Sequence, residues 1–157
     1  MSAGFRLQTE IDVINNMCFV NAELVAVGGA TATIKTQQTL AGIIGGVHIT
    51  PVAANSSIAL TACAQQAAGT VCKYLISMDS SGNVYTTKGI EVSSTVLTAG
   101  TQGIAYLPAL PANTMPIGYM NVTTDSITTF TAGTTLLNAA GLIISFVNIG
   151  TMQAEVV

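Results

Sequence analysis

His48 is the only histidine of the chain, so any acid–base or nucleophilic site has to be organised around it. Nucleophilic catalysis needs a nucleophile beside a positioned base. His48 lies in the segment GGVHITP, which predicts a strand next to a hairpin. Few titratable residues surround it, and catalytic groups usually owe their shifted pKa values to such neighbours. We therefore expect His48 to be a partly exposed strand residue in a protein that is not an enzyme.

The carboxylates do not suggest an acid–base pair either. Asp79 lies in DSSGN and Asp125 in TTDSIT, and in such turns an Asp side chain typically bonds nearby backbone N–H groups. Glu91 and Glu155 have no visible partners in the sequence. The Gly-rich pieces GIIGG and AGTQG are not followed by the Lys-Ser/Thr pair of phosphate-binding loops. We therefore expect no catalytic residues and no bound cofactor.

The chain also contains three cysteines, Cys18, Cys63 and Cys72, whose thiols are further candidates for chemistry. An odd count in a chain whose start, MSAGFRLQTEID, lacks the layout of a signal peptide argues against a disulfide framework and predicts assembly in a cytoplasm. A metal site would need further ligands at suitable spacing, so none is expected. Cys63 and Cys72 flank a possible turn and could face each other across two strands. The preferred interpretation is buried, reduced thiols.

The composition points to a protein that binds other protein. Charged residues make up 7% of the chain and hydrophobic residues 50%, whereas ordinary soluble domains are about 25% charged. No stretch approaches the roughly 20 apolar residues of a membrane-spanning helix, so no membrane association is expected. The four basic residues are scattered, whereas nucleic-acid binding depends on clustered positive charge. The chain is therefore expected to pack against copies of itself and against a larger surface.

The first 30 residues differ from the rest in composition and in the spacing of apolar residues. We interpret them as an N-terminal arm (1–30) before a β domain (31–157). Apolar residues at helical spacing cover about two turns before Asn15-Asn16, and imperfect alternation predicts a strand over 18–26. Five apolar side chains have no obvious place in a compact sandwich. These candidate partner-contacting residues are Leu7, Ile11, Ile14, Phe19 and Leu24.

From residue 31 onward the abundance of Thr, Val and Ile predicts an all-β fold, a sandwich or jelly roll. The clearest hairpin pairs 71–78 with 84–88 across the loop DSSGN, where Gly82 or Asn83 is expected to adopt positive φ. A second hairpin is predicted at Gly45-Gly46. Three prolines between 107 and 116 predict an irregular or edge segment. Further strands are predicted over 31–37, 57–62, 91–97, 117–124 and 142–149.

Three segments carry a resemblance to known proteins: YLISMDSSGNVYTTKG (74–89), LPALPANTMPIGYMNVTT (107–124) and FTAGTTLLNAAG (130–141), the last followed by ISFVNI (144–149). In this order they resemble virion structural proteins of tailed bacteriophages, among them head decoration (cement) proteins and related appendage subunits. The resemblance covers roughly the C-terminal half. It implies a homotrimer on the capsid surface, bound to the major capsid protein, and it implies no catalytic residues.

Two functions from different classes follow from this sequence. The first is a structural subunit that stabilises a phage capsid by bridging capsomers. The alternative is a tail-fibre or receptor-binding subunit that holds a host-surface glycan in the loops at one end of the sandwich. Trp, the usual stacking platform for sugars, is absent, and charged residues are few. Both facts favour the capsid role.

Overall fold

The computed structural model describes residues 15–29, 31–95 and 105–149, so the predictions for Leu7, Ile11 and Ile14 lie outside the described residues. These parts of the chain form short and long strands, in the order β1 (Asn16–Cys18), β2 (Val25–Ala26), β3 (Thr33–Lys35), β4 (Gly42–Ile44), β5 (Val47–His48), β6 (Ile58–Ala59), β7 (Thr70–Asp79), β8 (Val84–Lys88), β9 (Val92–Ser93), β10 (Thr114–Thr124) and β11 (Leu142–Asn148). The all-β prediction is confirmed.

One large antiparallel sheet organises the molecule. Its strands lie in the order β11-β10-β7-β8, and β9 also pairs with β7. Two small sheets, β1-β4-β5 and β2-β3-β6, accompany it. Buried side chains from all three sheets form one core, so the small sheets cover one face of the large sheet. We call this the inner face, and the architecture is sandwich-like.

The turns follow from local sequence. Gly82 in the β7–β8 hairpin has φ +86°, as expected for DSSGN, and Gly45 and Gly46 between β4 and β5 are both in the left-handed region. Asp79 accepts hydrogen bonds from the backbone N–H groups of Ser81 (2.8 Å) and Asn83 (2.9 Å). The predicted hairpins are therefore confirmed together with the turn role of Asp79.

Strand β10 begins at Thr114, three residues before the start of the strand predicted over 117–124. Pro116 lies inside it, beside an irregularity in the β10–β7 register between Pro116 and Gly118. A proline lacks an N–H donor, and a bulge is one place where a strand tolerates that loss. The extra residue, Ile117, is fully buried and turns into the core. The bulge thus keeps residues on both sides of it in contact with the inner face.

Residues in the second half of the predicted arm form strands that pair with strands of the 31–157 region. Strand β1 pairs with β4, and β2 pairs with β3. The strand predicted over 18–26 is interrupted because the Asn21 side chain accepts a hydrogen bond from Glu23 N–H (2.9 Å), and Glu23 has φ +49°. Asn side chains turn the backbone in this way.

The opposite, outer face of the large sheet is covered on one side only. Leu75 and Ser77 of β7 point away from the core and are nevertheless buried. Gly89 lies against Tyr106 and Pro108, and residues 111–114 lie beside Asp79 and Tyr85, so the 105–113 segment crosses the β7–β8 half. The β10–β11 half has no such cover among the described residues, since Ile143 is 73% exposed.

Candidate functional site

The residues able to do chemistry are dispersed. His48 is an exposed residue of β5, as expected, and its ring lies 5.7 Å from the ring of Phe19. Among the described residues, no group of three or more His, Cys, Asp or Glu side chains is placed to hold a metal ion.

The cysteines are unpaired thiols. Cys18 and Cys72 are buried, whereas Cys63 is half-buried, and the Cys63 and Cys72 thiols donate to different carbonyls, those of Thr86 (3.3 Å) and Gly89 (3.4 Å). Burial raises the pKa of Cys72 to about 11 and also raises the pKa of Cys63. Thiols with raised pKa values are poor nucleophiles at neutral pH, because the thiolate is the reactive form.

A buried glutamine organises the core in a way that the sequence did not reveal. Gln66 accepts a hydrogen bond from the Tyr74 hydroxyl (3.0 Å) and donates to the carbonyls of Val122 (3.1 Å) and Thr70 (3.2 Å). The Tyr74 ring packs edge-on against Phe130 at 5.4 Å. Desolvation raises the pKa of Tyr74 well above its usual range. These groups are satisfied by one another, which gives them a structural role.

Two clefts lie at the end of the molecule that carries the β7–β8 turn. One, of about 200 Å³, is lined by Asp79, Tyr85 and residues 111–114. The other, of about 430 Å³, is lined by residues that include His48, Ser80 and Asn113. Asn113 borders both clefts and has φ +58°. Both clefts are concave and are lined by polar and apolar residues together.

The carboxylate in the first cleft, that of Asp79, already accepts hydrogen bonds from nearby residues of the same chain. Oδ2 of Asp79 accepts from the Asn83 amide (2.9 Å) and from the Tyr85 hydroxyl (3.0 Å), while Oδ1 accepts the two backbone N–H groups of the turn. Burial alone would raise the pKa of Asp79, but the bonds from Asn83, Tyr85 and Ser81 together lower it. Asp79 therefore holds the turn and has little capacity left for a ligand.

The β8 edge of the large sheet is closed by residues 61–65. The N–H of Thr61 donates to Oγ1 of Thr86, and the N–H of Thr86 donates to Oγ1 of Thr61, both at 3.3 Å. Lys88 at the end of β8 donates to the carbonyl of Gln65 (2.8 Å) and forms an ion pair with Glu91. Glu91, expected to have no partner, is therefore paired. Burial would raise its pKa, but the bonds from Lys88 and Ala67 lower it.

No described residue pairs with the outward edge of β11, which we call the open β11 edge. Its outer-face residues Ile143 and Val147 are exposed, and its inner-face residues Ile144 and Phe146 are only partly buried. No hydrogen bond among the described residues uses the outward backbone groups of Ile144 or Phe146. Native proteins usually blunt such an edge with charge, proline or a cover. The sequence LIISFVN contains neither a charged residue nor a proline.

The two partner-contacting candidates that fall within the described residues lie in different environments. Phe19 is 37% exposed and forms part of the surface beside His48. Leu24 is 1% exposed and packs in the core, with its N–H donating to the Asn148 side chain (2.7 Å). Leu24 is therefore covered by its own chain. Neither of the two residues lies on β11.

Comparison with known proteins adds no relative: no family model, curated protein or solved structure matches this chain. Among the described residues, no helix is long and apolar enough to cross a membrane. The features that bear on function are therefore the open β11 edge with the adjoining outer face, and the two clefts at the turn end.

Proposed function

We propose that this protein is a structural virion subunit of a tailed bacteriophage that decorates the capsid and stabilises it by bridging capsomers. The observation that carries the proposal is the β10–β11 half of the large sheet, which the described residues leave uncovered and which ends in a strand with no partner on its outward edge. This surface carries the exposed side chains of Ile143 and Val147 beside the polar side chains of Asn121 and Ser145. Exposed apolar side chains on a sheet face are typical of protein–protein contact sites. The proposed partners are further copies of the chain, three in the resembling proteins, and the major capsid protein.

The surface suits contact with protein because it carries little charge. Tyr119, Ile143 and Val147 lie on the uncovered half of the outer face, and Lys73 lies over the Tyr119 ring at 5.3 Å from its centroid. A cation–π contact of this type keeps the Lys73 ammonium close to the sheet. Burying this face therefore requires desolvation of one cation, and apolar contact supplies the driving force.

The mechanism is linkage between binding and shell stability. A subunit that binds the assembled shell but not the dissociated capsomers stabilises the shell by RT ln(1 + [L]/Kd). A specific interface of standard size buries about 800 Å² on each partner. Because each subunit contacts more than one capsomer, dissociation of a capsomer requires that these contacts break together.

The test is co-sedimentation of the purified protein with heads that lack it, followed by heating of the decorated and undecorated heads. We expect saturable binding and release of DNA from decorated heads at a higher temperature. Ile143→Lys, at an exposed residue of β11, should weaken this binding, and Leu136→Asp, at an exposed residue of the 131–141 loop outside the strands, is its control. Failure to bind heads, with cryo-electron microscopy locating the protein on the tail, would rule the capsid role out.

The clefts at the turn end support a second candidate, a receptor-binding appendage subunit that holds a glycan. Asn113 borders both clefts, so Asn113→Gly removes an amide there and is compatible with the positive φ. On this alternative the variant loses adsorption to host cells and retains binding to the particle. On the capsid proposal, adsorption is unchanged. The saturated carboxylate of Asp79 favours the capsid proposal.

A further inference from the structure

The pairing between β10 and β11 determines which backbone groups of β11 face outward. Ile149 N–H donates to Ile117 O (3.3 Å) and Asp125 N–H donates to Gly141 O (2.9 Å), and both bonds extend the β10–β11 register. In an antiparallel pair, hydrogen-bonded and non-hydrogen-bonded positions alternate. The odd-numbered residues of β11 therefore bond to β10, and the groups of Ile144, Phe146 and Asn148 point away from the sheet.

The same alternation applies at the opposite edge, where the outward groups are used. Gly89 N–H donates to Lys73 O (2.8 Å), so the outward residue in the middle of β8 is Thr86. Its N–H and C=O both bond to the 61–63 segment. A strand from another copy cannot pair with β8 without displacing that segment. Of the two long edges, only β11 has outward backbone groups that no other described residue uses.

The sequence of β11 is self-complementary about Ser145. Antiparallel pairing centred there places Ile143 opposite Val147 on the outer face and Ile144 opposite Phe146 on the inner face. Pairs of β-branched residues and of aromatic with β-branched residues are favourable cross-strand neighbours. The two-fold axis passes at Ser145 and places this residue next to its own counterpart, so a charge at the axis would face a like charge. This strand has none.

We infer that β11 pairs with β11 of a second copy of this chain, antiparallel and centred on Ser145, so that the two large sheets become one continuous sheet. The outward groups from Leu142 to Asn148 supply about six hydrogen bonds, since the Leu142 N–H already donates to Ala139 O. The contact is isologous, because the same strand is used in both copies. It occupies the β11 edge of each copy, so the dimer is closed and does not extend into a fibre.

This inference deepens the proposed function, because it names a surface through which subunits join. A two-fold contact produces assemblies with an even number of copies. By itself it gives a dimer of twice the 16.0 kDa chain mass. If the three-fold contact of the resembling proteins also forms, with its axis crossing the two-fold axis at right angles, the result is a pair of trimers.

Introducing a charge at the two-fold axis is the decisive experiment. Ser145 is exposed, so Ser145→Lys and Ser145→Glu should each fold, as judged by circular dichroism. Each places like charges opposite each other, and we expect each to self-associate about tenfold more weakly or worse. An equimolar mixture should regain assembly as a heterodimer in sedimentation and native mass spectrometry. The matched controls are Ser81→Lys and Ser81→Glu, at an exposed residue of the β7–β8 turn, which should assemble as the unsubstituted chain does.

Disulfide trapping tests the register. Ser145 faces its counterpart in a non-hydrogen-bonded pair, where Cα atoms are about 4.5 Å apart, within the range that a disulfide spans. Ser145→Cys should therefore form a covalent dimer under mild oxidation, and Ser81→Cys should not. If both charge variants assemble normally, or the mixture stays dissociated, the inference is overturned and the edge belongs to another occupant, such as residues 1–14 or a capsid strand.

The outcome is separable from that of the proposed function. Head binding is measured by co-sedimentation, and self-pairing is measured in purified protein without heads. Charge rescue without head binding would retain the β11 contact and reject the capsid role. Head binding without charge rescue would do the reverse.

Discussion

The two long edges of the large sheet differ although the strands that form them are similar in length and regularity. At β8, residues 61–65 bond to the outward groups of Thr86, and Lys88 and Glu91 form an ion pair. At β11, an apolar strand without charge or proline ends the sheet. The chain itself therefore closes the β8 edge, whereas no described residue covers the β11 edge, where we propose that a second copy binds.

The largest effect is expected where β11 joins the sheet. Gly118 of β10 has no space for a Cβ, which would overlap the Leu24 side chain and lie 2.8 Å from Val147 O. Gly118→Ala should lower the free energy of unfolding by about 3 kcal/mol, because a packed core resists added volume. Urea denaturation measures this loss. Gly28→Ala is the matched control, since a Cβ there meets nothing within 4 Å. Equal stability of the two variants would contradict the close packing between β10 and β11.

The next effect concerns the segment that closes the β8 edge. Gln66 anchors this segment to the core through Tyr74 and Val122. Gln66→Leu should cost about 2 kcal/mol, because it leaves buried polar groups without partners. The control is the double variant with Tyr74→Phe. The second substitution removes the Tyr74 hydroxyl that Gln66→Leu leaves without a partner, so the double variant should recover part of the lost stability in thermal unfolding. If the two losses simply add, Gln66 and Tyr74 are not coupled.

A smaller effect is expected at the closed edge itself. Thr86→Val keeps the shape of the side chain but removes the hydroxyl that accepts from Thr61 N–H. We expect a loss of about 1 kcal/mol, together with faster amide exchange at Thr61. Thr87→Val, on the outer face of the same strand, is the control. Unchanged exchange at Thr61 would show that the 61–65 segment is held by other contacts.

Acid should lower the free energy of unfolding through both halves of the large sheet, because the β7–β8 turn contains Asp79 and the turn after β10 contains Asp125. Hydrogen bonds from Ile127 and Thr128 lower the pKa of Asp125, which precedes the loop leading to β11, and the pKa of Asp79 is also lowered. The folded state binds these protons less tightly than the unfolded state. Stability is therefore complete above the ordinary Asp value of 3.8 and is lost as pH falls through the lowered pKa values. Asp79→Asn and Asp125→Asn should each flatten the acid limb of a stability–pH curve, and a limb as steep as before would refute the assignment.

The smallest effect on stability is expected at the open edge. Ile143 is largely exposed, so Ile143→Lys should change the free energy of unfolding by no more than about 0.5 kcal/mol. The same variant should weaken self-association, since lysine is a common protector of sheet edges. Analytical ultracentrifugation beside urea denaturation separates the two properties. A large loss of stability would mean that Ile143 belongs to the fold of its own chain.

The main hairpin could be predicted from sequence because its determinants are local. DSSGN supplies an Asp that bonds its own turn and a Gly that accepts positive φ, and alternation over 71–78 and 84–88 defines the strands. The short strands were predicted less well, since 57–62 contains only β6, and residues 91–95, the described part of the strand predicted over 91–97, contain only β9. In these segments few residues pair, and the extent of pairing depends on neighbours distant in sequence.

Residues 18–26 show the same dependence on distant contacts. Phe19 and Leu24 look alike as isolated apolar residues, and only the fold separates an exposed ring from a buried anchor. Gln66 likewise has nothing in its local sequence that marks it as buried. Its partners Tyr74 and Val122 come from two different strands. Such a site becomes visible only when the strands are placed side by side.

By itself the sequence determined the all-β class, the hairpin turns and the low charge that points to contact with protein. These follow from residue type and spacing, because turn geometry and β preference act over a few residues. The tertiary structure decided which strands lie at the edges, which edge is covered and where the proline of β10 is accommodated. Those outcomes depend on pairing between residues far apart in the chain, and a strand carries no local mark of whether a neighbour will cover it.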